Sequence, residues 1–508
     1  MTQNRRMDRR MFLAGGIGLA AGSAGFLGLD WASRSASRPT LAHAANNAVL
    51  LDAAESEIDL GGRTVTTWAY GGQVPGRELR ATAGKMLDVR LRNHLPVNTT
   101  VHWHGLRIAN AMDGVPDVTQ PSVRPETEFL YRFSPPDPGT YWLHSHEHLQ
   151  LDRGLYAPLI IEDPRERLFY DDEWVIVLDD WVDGTGQTPE HVLEHLKEGG
   201  HGSHGMNMGG MDTGEGGGHH MNKGGMDMGS HHMTMDGCLR HLGEHLSDVD
   251  DYAYYLVNGR TPTSPMTFHG RPGQRIRMRI INAAADTFFQ VALGDHTFTV
   301  THTDGFPVRP QPAHSVLLGM AERIDAIVTL RDGVFPLVAR AAGRNAAASA
   351  VVRTGSGPPP PRDAHPSGLD TCPLLATDLM ADDDVVLNGP TDRRHTAVLS
   401  GDMDRFVWRI NGEVFDDHTP LPVRRGEGVH MEFVNNTTMP HPMHLHGHTF
   451  QVVNRDGRPG PRKDTVIVPA MQRLDIYFTA DNPGDWVLHC HNDYHMTAGM
   501  MTTVAYLT

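Results

Sequence analysis

Residues Pro483-Gly484-Asp485-Trp486-Val487-Leu488-His489-Cys490-His491 repeat the pattern of Pro138-Gly139-Thr140-Tyr141-Trp142-Leu143-His144-Ser145-His146, with Ser145 where Cys490 stands. A second pattern precedes each. Gly84, Asn93, His102, His104 and Gly105 recur at identical intervals as Gly426, Asn435, His444, His446 and Gly447. A third copy, Gly273, Asn282, Val291, Leu293 and Gly294, keeps the intervals but has apolar residues in place of histidine. Its weaker partner runs from Gly333 through Val338, Ala339 and Arg340, again without ligands. Between these landmarks lie short β-branched runs such as Val89-Arg90-Leu91, 275–281 and 324–330, punctuated by Gly and Pro. Internal repetition of strand-like segments predicts an all-β chain of three β-sandwich domains in tandem, the middle one a scaffold without ligands. Boundaries are expected near residue 165 and in the Pro-rich stretch 355–361, giving domains 45–165, 166–355 and 376–508 with a linker at 356–375.

Side chains alternate along a strand, so the two histidines of His-x-His face one way and the residue between them the other. Four such pairs occupy matching places: His102/His104, His144/His146, His444/His446 and His489/His491. A single pair is weak evidence. Four pairs, placed equivalently in two units and absent from the third, point to eight imidazoles at a domain junction, enough for three metal ions. Cys490 must point away from its neighbours; His495 and Met500 lie near it in sequence, and His441 precedes the pair His444/His446 by three residues. One thiolate, two imidazoles and a distant thioether suit a blue copper electron-transfer site. Zinc is the runner-up, although its closed structural sites seldom use methionine. Cys490 then holds one metal while its covalent neighbours hold others, so electrons have about one residue of main chain to cross.

These segments, His102-Trp103-His104-Gly105, His144-Ser145-His146, His441-Pro442-Met443-His444-Leu445-His446-Gly447 and His489-Cys490-His491 with His495 and Met500, resemble the four copper signatures of three-domain bacterial multicopper oxidases of the laccase-like and copper-resistance cuprous oxidase type. The resemblance spans nearly the whole chain after residue 44 and implies three cupredoxin-like Greek-key sandwiches and four copper ions. It implies a type 1 copper on His441, Cys490, His495 and axial Met500, and a type 2 copper on His102 and His444. One type 3 copper would take His104, His144 and His491, the other His146, His446 and His489. The implied reaction is four one-electron oxidations of a reducing substrate coupled to reduction of dioxygen to two waters. Asp113, in Met112-Asp113-Gly114-Val115-Pro116, matches the family's proton-relay position. Its bland alternative is a turn residue before glycine. After His495 many bacterial members carry Glu where this chain has Met496, which puts a second proton route in doubt, with Asp493 as a substitute.

The chain has 508 residues, 32 His, 25 Met, 3 Cys and a formal charge of −17. That length allows two to four domains, and the acidic balance removes the electrostatic source of nucleic-acid binding. Residues 5–44 read as an export signal: Arg5, Arg6, Arg9 and Arg10, an apolar stretch from Leu13 to Leu29, then Ala42-His43-Ala44 for cleavage after Ala44. Arg9-Arg10-Met11-Phe12-Leu13 resembles a twin-arginine signal, which implies export in the folded state to the periplasm or cell envelope. Beyond it no run reaches the roughly 20 apolar residues of a membrane span, so the exported chain is expected to be free of the membrane. A monomer is expected, although nothing in the sequence fixes the oligomeric state.

Residues 201–236 hold eight Met, six His and eleven Gly, a composition that cannot bury a core and suits copper capture, thioethers being soft ligands for Cu(I). Its methionines, Met206, Met208, Met211, Met221, Met226, Met228, Met233 and Met235, together with Met439 near His441, are candidate contacts for substrate copper. A functionless low-complexity insertion is the alternative. Cu(I) is the leading substrate, with phenols, aromatic amines and other small aromatic reductants as the laccase alternative. Outside enzymes, the architecture also serves copper storage, which predicts bound copper without oxygen uptake. A copper-free scaffold would have lost the cluster ligands. Cys238 and Cys372 are expected as unpaired thiols, a disulfide or Cu(I) binding by Cys238 being the alternatives. His148, His302 and His448 are read as ordinary hydrogen-bonding residues.

Overall fold

The computed structural model describes residues 48–199, 238–250, 252–454 and 456–507. The signal segment and the Met/His/Gly-rich insertion, with its eight methionines, lie outside the described residues. Strands dominate among the described residues, arranged there as six sheets. Two four-stranded sheets come from residues 49–162. Two six-stranded sheets come from residues 172–353 with Leu374–Leu375 at one edge. A six-stranded and a five-stranded sheet come from residues 393–506. Each pair packs as a sandwich around alternating buried side chains, as in Leu87–Asn93, where every second residue is buried. The large core of the second and third units is continuous, while the first has its own around Trp103, Tyr131 and Leu143.

The repeated asparagine explains why the three units share a frame. Asn93, Asn282 and Asn435 are all buried at strand ends. In each, Oδ1 accepts from the backbone N–H two residues on, at Leu95, Ala284 and Thr437. Each Nδ2 donates to backbone carbonyls: Asn93 to Val97 and Val123, Asn282 to Thr287 and Leu318, and Asn435 to Met439, Val468 and Pro469. One side chain thereby satisfies a buried loop that would otherwise leave backbone groups unpaired. The middle unit keeps this device because it concerns the backbone, not the metal.

A short helix, Pro189–Lys197, precedes the insertion. Thr188 caps it by accepting from His191 N, Pro189 opens it, and Val192, Leu193 and Leu196 bury its apolar face. Past the insertion, Cys238 is bonded to Cys372, Cα atoms 5.4 Å apart, which corrects the expectation of two unpaired thiols. The partners are 134 residues apart, so only the folded path of the chain brings them together. The disulfide ties the segment after the insertion to the linker beyond the middle unit. Among the described residues no helix is long and apolar enough to cross a membrane.

Candidate metal centre

The strands His102–His104 and Gly139–His144 pair antiparallel with His102 opposite His144. In the third unit His441–Leu445 and Asp485–Cys490 repeat that register, His444 opposite His489. Alternation then sends Trp103 inward against Tyr131 and Phe133, with ring centroids 5.4 and 4.7 Å away, and sends His102 and His104 outward. Where the two units face each other the eight imidazoles converge. His102 stacks on His446 and His104 on His444, each pair 3.8 Å between centroids, so the two units meet with approximate twofold symmetry.

Within this cluster the donor atoms of His104, His144 and His491 lie within 4.8 Å of one another, as do those of His146, His446 and His489, and those of His102, His104 and His444. All eight rings are buried. Burial pushes the pKa of His104, His144, His146, His444, His446 and His491 well below the ordinary imidazole range and that of His489 to about 4, so the rings are neutral and carry free lone pairs. Backbone carbonyls take the far nitrogens: Nδ1–H of His102 donates to Asp113 O at 2.9 Å, of His144 to Ser145 O at 2.8 Å, of His444 to Asp464 O at 2.8 Å and of His489 to Cys490 O at 2.8 Å. Asp113 Oδ2 accepts from His446 Nδ1 at 2.9 Å.

What remains facing inward is unpartnered. Nε2 of His102, His144, His146, His444 and His491 and Nδ1 of His104 are buried without a hydrogen-bond partner, while Nε2 of His446 and of His489 confront each other at 3.0 Å. Each orphaned polar atom costs about 1–3 kcal/mol. Concentrated at one point, they fit metal cations that accept all these lone pairs at once.

The second donor set lies on the other side of the strand. Cys490 Sγ is 3.6 Å from Nδ1 of both His441 and His495, and the two Nδ1 atoms are 3.1 Å apart. That triangle has room for a first-row metal at bond lengths of about 2.0–2.3 Å. Asn492 aims one corner: its side chain caps the helix Asp493–Thr497 by accepting from the N–H groups of Tyr494 and His495, and so turns His495 back toward Cys490. Met500 is fully buried, its N–H donating to His495 O and its carbonyl accepting from Cys490 N–H. Burial raises the Cys490 thiol well above its ordinary pKa, so a bound cation is what makes it a thiolate.

Both far nitrogens of this set are capped. His441 Nε2–H donates to Thr437 Oγ1 at 2.8 Å and His495 Nε2–H to Asp248 Oδ2 at 2.6 Å, and the Trp408 ring lies on His495 at 3.9 Å. Met439 is buried, 2% exposed, among core side chains rather than displayed at a surface. Asp493 is also buried, its Oδ2 unpartnered, and burial with the neighbouring Asp180 holds its pKa well above the carboxylate range. Asp248, Trp408 and Asp464 carried no signal in sequence, since each reaches its histidine across the fold and not along a strand, while Thr437 reaches His441 from the turn four residues before it. His302 and His448 take ordinary partners, His302 Nδ1 at Thr301 Oγ1 and His448 Nε2 at Tyr506 OH.

Three family models, each described as multicopper oxidase, match residues 52–166, 172–357 and 388–507. Multicopper oxidase MmcO of Mycobacterium tuberculosis is 43% identical, the match covering 99% of this chain and 97% of the relative. Copper resistance protein A of Escherichia coli is 27% identical over 98% of this chain and 99% of its own. Among solved structures, a multicopper oxidase from Pseudomonas thermotolerans superposes with a TM-score of 0.65 at 26% identity, covering 91% of this chain and 99% of that one. Fet3p, a multicopper oxidase that functions in iron import, shares the fold with a TM-score of 0.73 at 20% identity over 91% of this chain and 90% of its own.

Proposed function

Because this chain belongs to the multicopper oxidase family, a family of copper oxidoreductases, we propose that it couples one-electron oxidation of Cu(I), in copper tolerance, to four-electron reduction of dioxygen to water. The observation that carries the reading is the covalent junction: Cys490 belongs to the three-donor set while His489 and His491, its neighbours in the chain, belong to the eight-histidine set. His441, Cys490, His495 and Met500 would hold the type 1 copper and His102 with His444 the type 2. His104, His144 and His491, and His146, His446 and His489, would hold the type 3 pair, four ions per chain. Bound copper supplies a one-electron couple and a place where dioxygen takes up electrons.

The chain's own residues do the rest. Main chain through Cys490 gives the shortest covalent route between the two sets. Asp113 grips His446 with one carboxylate oxygen and keeps Oδ1 without a hydrogen-bond partner, 3.3 Å from His102 Nδ1, an arrangement suited to handing a proton inward. Asp493, whose pKa burial raises, is a second reserve where this chain has Met496.

Cu(I) is favoured over an aromatic donor because His441 and His495 are fully buried with their outer nitrogens occupied, which leaves no imidazole edge for a planar ring to lie against. The name of the copper resistance relatives and the Met/His-rich insertion support the same donor. The basic and apolar segment at residues 5–44 supports twin-arginine export to the periplasm or cell envelope. Oxygen uptake with Cu(I) and with a phenol, before and after deletion of residues 201–236, tests the reading. Loss of Cu(I) turnover on deletion is expected, with the slower rate on the phenol the same in both proteins. Equal Cu(I) turnover in both proteins defeats the role given to the insertion, and uptake with the phenol alone makes the chain a laccase.

A further inference from the structure

Among its described residues the middle unit supplies none of the candidate metal ligands, yet one of its side chains reaches a candidate ligand at second hand. Arg323, on the strand Arg323–Thr329, is fully buried, and its guanidinium grips Asp464 with Nη1 at 2.7 Å from Oδ1 and Nη2 at 2.5 Å from Oδ2. Nε and Nη1 also donate to the carbonyls of Thr140 and Ala321. Asp464 in turn reaches both halves of the cluster. Its Oδ1 accepts from His104 Nε2 at 3.1 Å and its carbonyl from His444 Nδ1 at 2.8 Å, while Thr465 Oγ1 lies 3.0 Å from the same His104 nitrogen. Asp464 is thus the counterpart, on the opposite flank, of Asp113, which holds His102 and His446.

Lys463, Asp304 and Glu322 complete a network of five fully buried charges, with Lys463 Nζ 3.0 Å from Asp304 and 3.1 Å from Glu322. Ion pairs taken out of water cost several kcal/mol per ion, and apolar side chains of equal volume hold a core as well or better. Stability therefore does not account for the network, whereas orientation does. His104 is singular among the eight: its free inward atom is Nδ1, whereas the other inward atoms are Nε2. An imidazole left to itself can turn either nitrogen inward. A carboxylate fixed by a two-pronged guanidinium removes that choice by demanding Nε2–H. Gly105 follows from the same packing: with φ +84°, a Cβ there would lie 2.4 Å from Asp464 Oδ2 and 2.6 Å from Arg323 Nη2. The glycine lets the ion pair close over the strand.

We propose that Arg323 is a positioning residue for the histidine cluster, acting through Asp464 to set which nitrogen His104 presents to metal. The inference rests on the copper assignment above. Arg323→Lys keeps the charge and loses the fork, and Asp464→Asn loses the charge. Both are expected to bind cluster copper about 10–100-fold more weakly and to change the near-ultraviolet absorption of the type 3 pair that His104 would help to hold, while the blue type 1 band stays. Glu322→Gln, in the same network but touching no histidine, is expected to lower Tm with wild-type copper affinity and spectrum. If the first two variants also lower Tm alone, Arg323 serves the fold only and the proposal falls. Should they not fold, nitrogen-15 spectra of the wild-type apoprotein decide, with His104 identified through His104→Gln: an Nε2-protonated ring supports the proposal and an Nδ1-protonated ring overturns it. A wild type that takes up no copper at the cluster refutes the copper assignment instead.

Discussion

Thr99 stands three residues before His102 as His441 stands before His444, and Gln150 stands five residues after Ser145 as His495 stands after Cys490, so the two units carry matching triads, and both are closed. In the first, Ser145 Oγ donates to Gln150 Oε1 at 2.8 Å, Thr99 Oγ1 donates to the same atom at 2.7 Å, and the two hydroxyls are 3.3 Å apart. In the third, a sulfur faces two ring nitrogens at 3.6 Å. The backbones agree in detail. Ser145 N–H donates to Leu155 O at 2.9 Å as Cys490 N–H donates to Met500 O at 3.0 Å. Leu155 and Met500 are both fully buried. One scaffold therefore carries two endings. Hydroxyls and an amide satisfy one another and leave nothing for a metal, whereas a thiol and two imidazoles with neutral lone pairs satisfy one another poorly and are completed by a cation.

Cys490→Ser breaks the comparison most severely, since it gives the third unit the oxygen of the first. The blue charge-transfer band and oxygen consumption should both vanish, while copper at the eight histidines stays detectable by spin resonance. A blue Ser variant would dissolve the distinction drawn between the triads. Asp113→Asn comes next. It still accepts from His446 but carries no proton, so oxygen consumption should fall about 100-fold or more with reduction of the blue band by donor unchanged. An unaltered rate would return Asp113 to the role of a turn residue.

Acid acts on the ligands of both units alike. His489 has its pKa pushed down to about 4 by burial, against about 6.5 unfolded, so between those values the unfolded chain takes a proton that the folded ring refuses. Stability present above pH 6.5 is lost as pH falls toward 4, about 3 kcal/mol for this ring. His302 and His448, also at about 4, follow the same sign. Buried Asp152, Asp179, Asp286 and Asp493, with raised pKa, oppose it, because they gain protons on folding, but the lowered rings outnumber them. Apoprotein Tm should drop from pH 7 to pH 5, and a Tm that rises would show the carboxyls dominating. The smallest effect belongs to the first unit. Ser145→Ala orphans part of a buried hydrogen-bonded triad and should cost about 1–3 kcal/mol in denaturant unfolding without changing the blue band. A changed band would mean that the two triads are coupled.

Most of the candidate site was legible because its ligands obey local rules. The two-residue period of a strand forces His-x-His onto one face and the intervening Cys490 onto the other, and the repeated intervals placed four such pairs in two equivalent units. The repeated asparagines likewise announced a shared frame before their hydrogen bonds could be seen. Met439, by contrast, was read from proximity in the chain to His441, and the fold buries it. The pairing of Cys238 with Cys372 was misread, since separation along the chain does not report proximity in space.

The candidate donor residues, the three-unit plan and the junction at Cys490 were thus legible in sequence alone, since each depends on residues a few positions apart on one strand or on intervals that repeat. Tertiary structure alone decided what surrounds the ligands: Asp464 lies 360 residues from His104, Asp248 lies 247 from His495, and Cys372 lies 134 from Cys238. Such contacts follow from how three sandwiches pack on one another, a matter of shape and burial summed over many side chains, and no period along the chain encodes it.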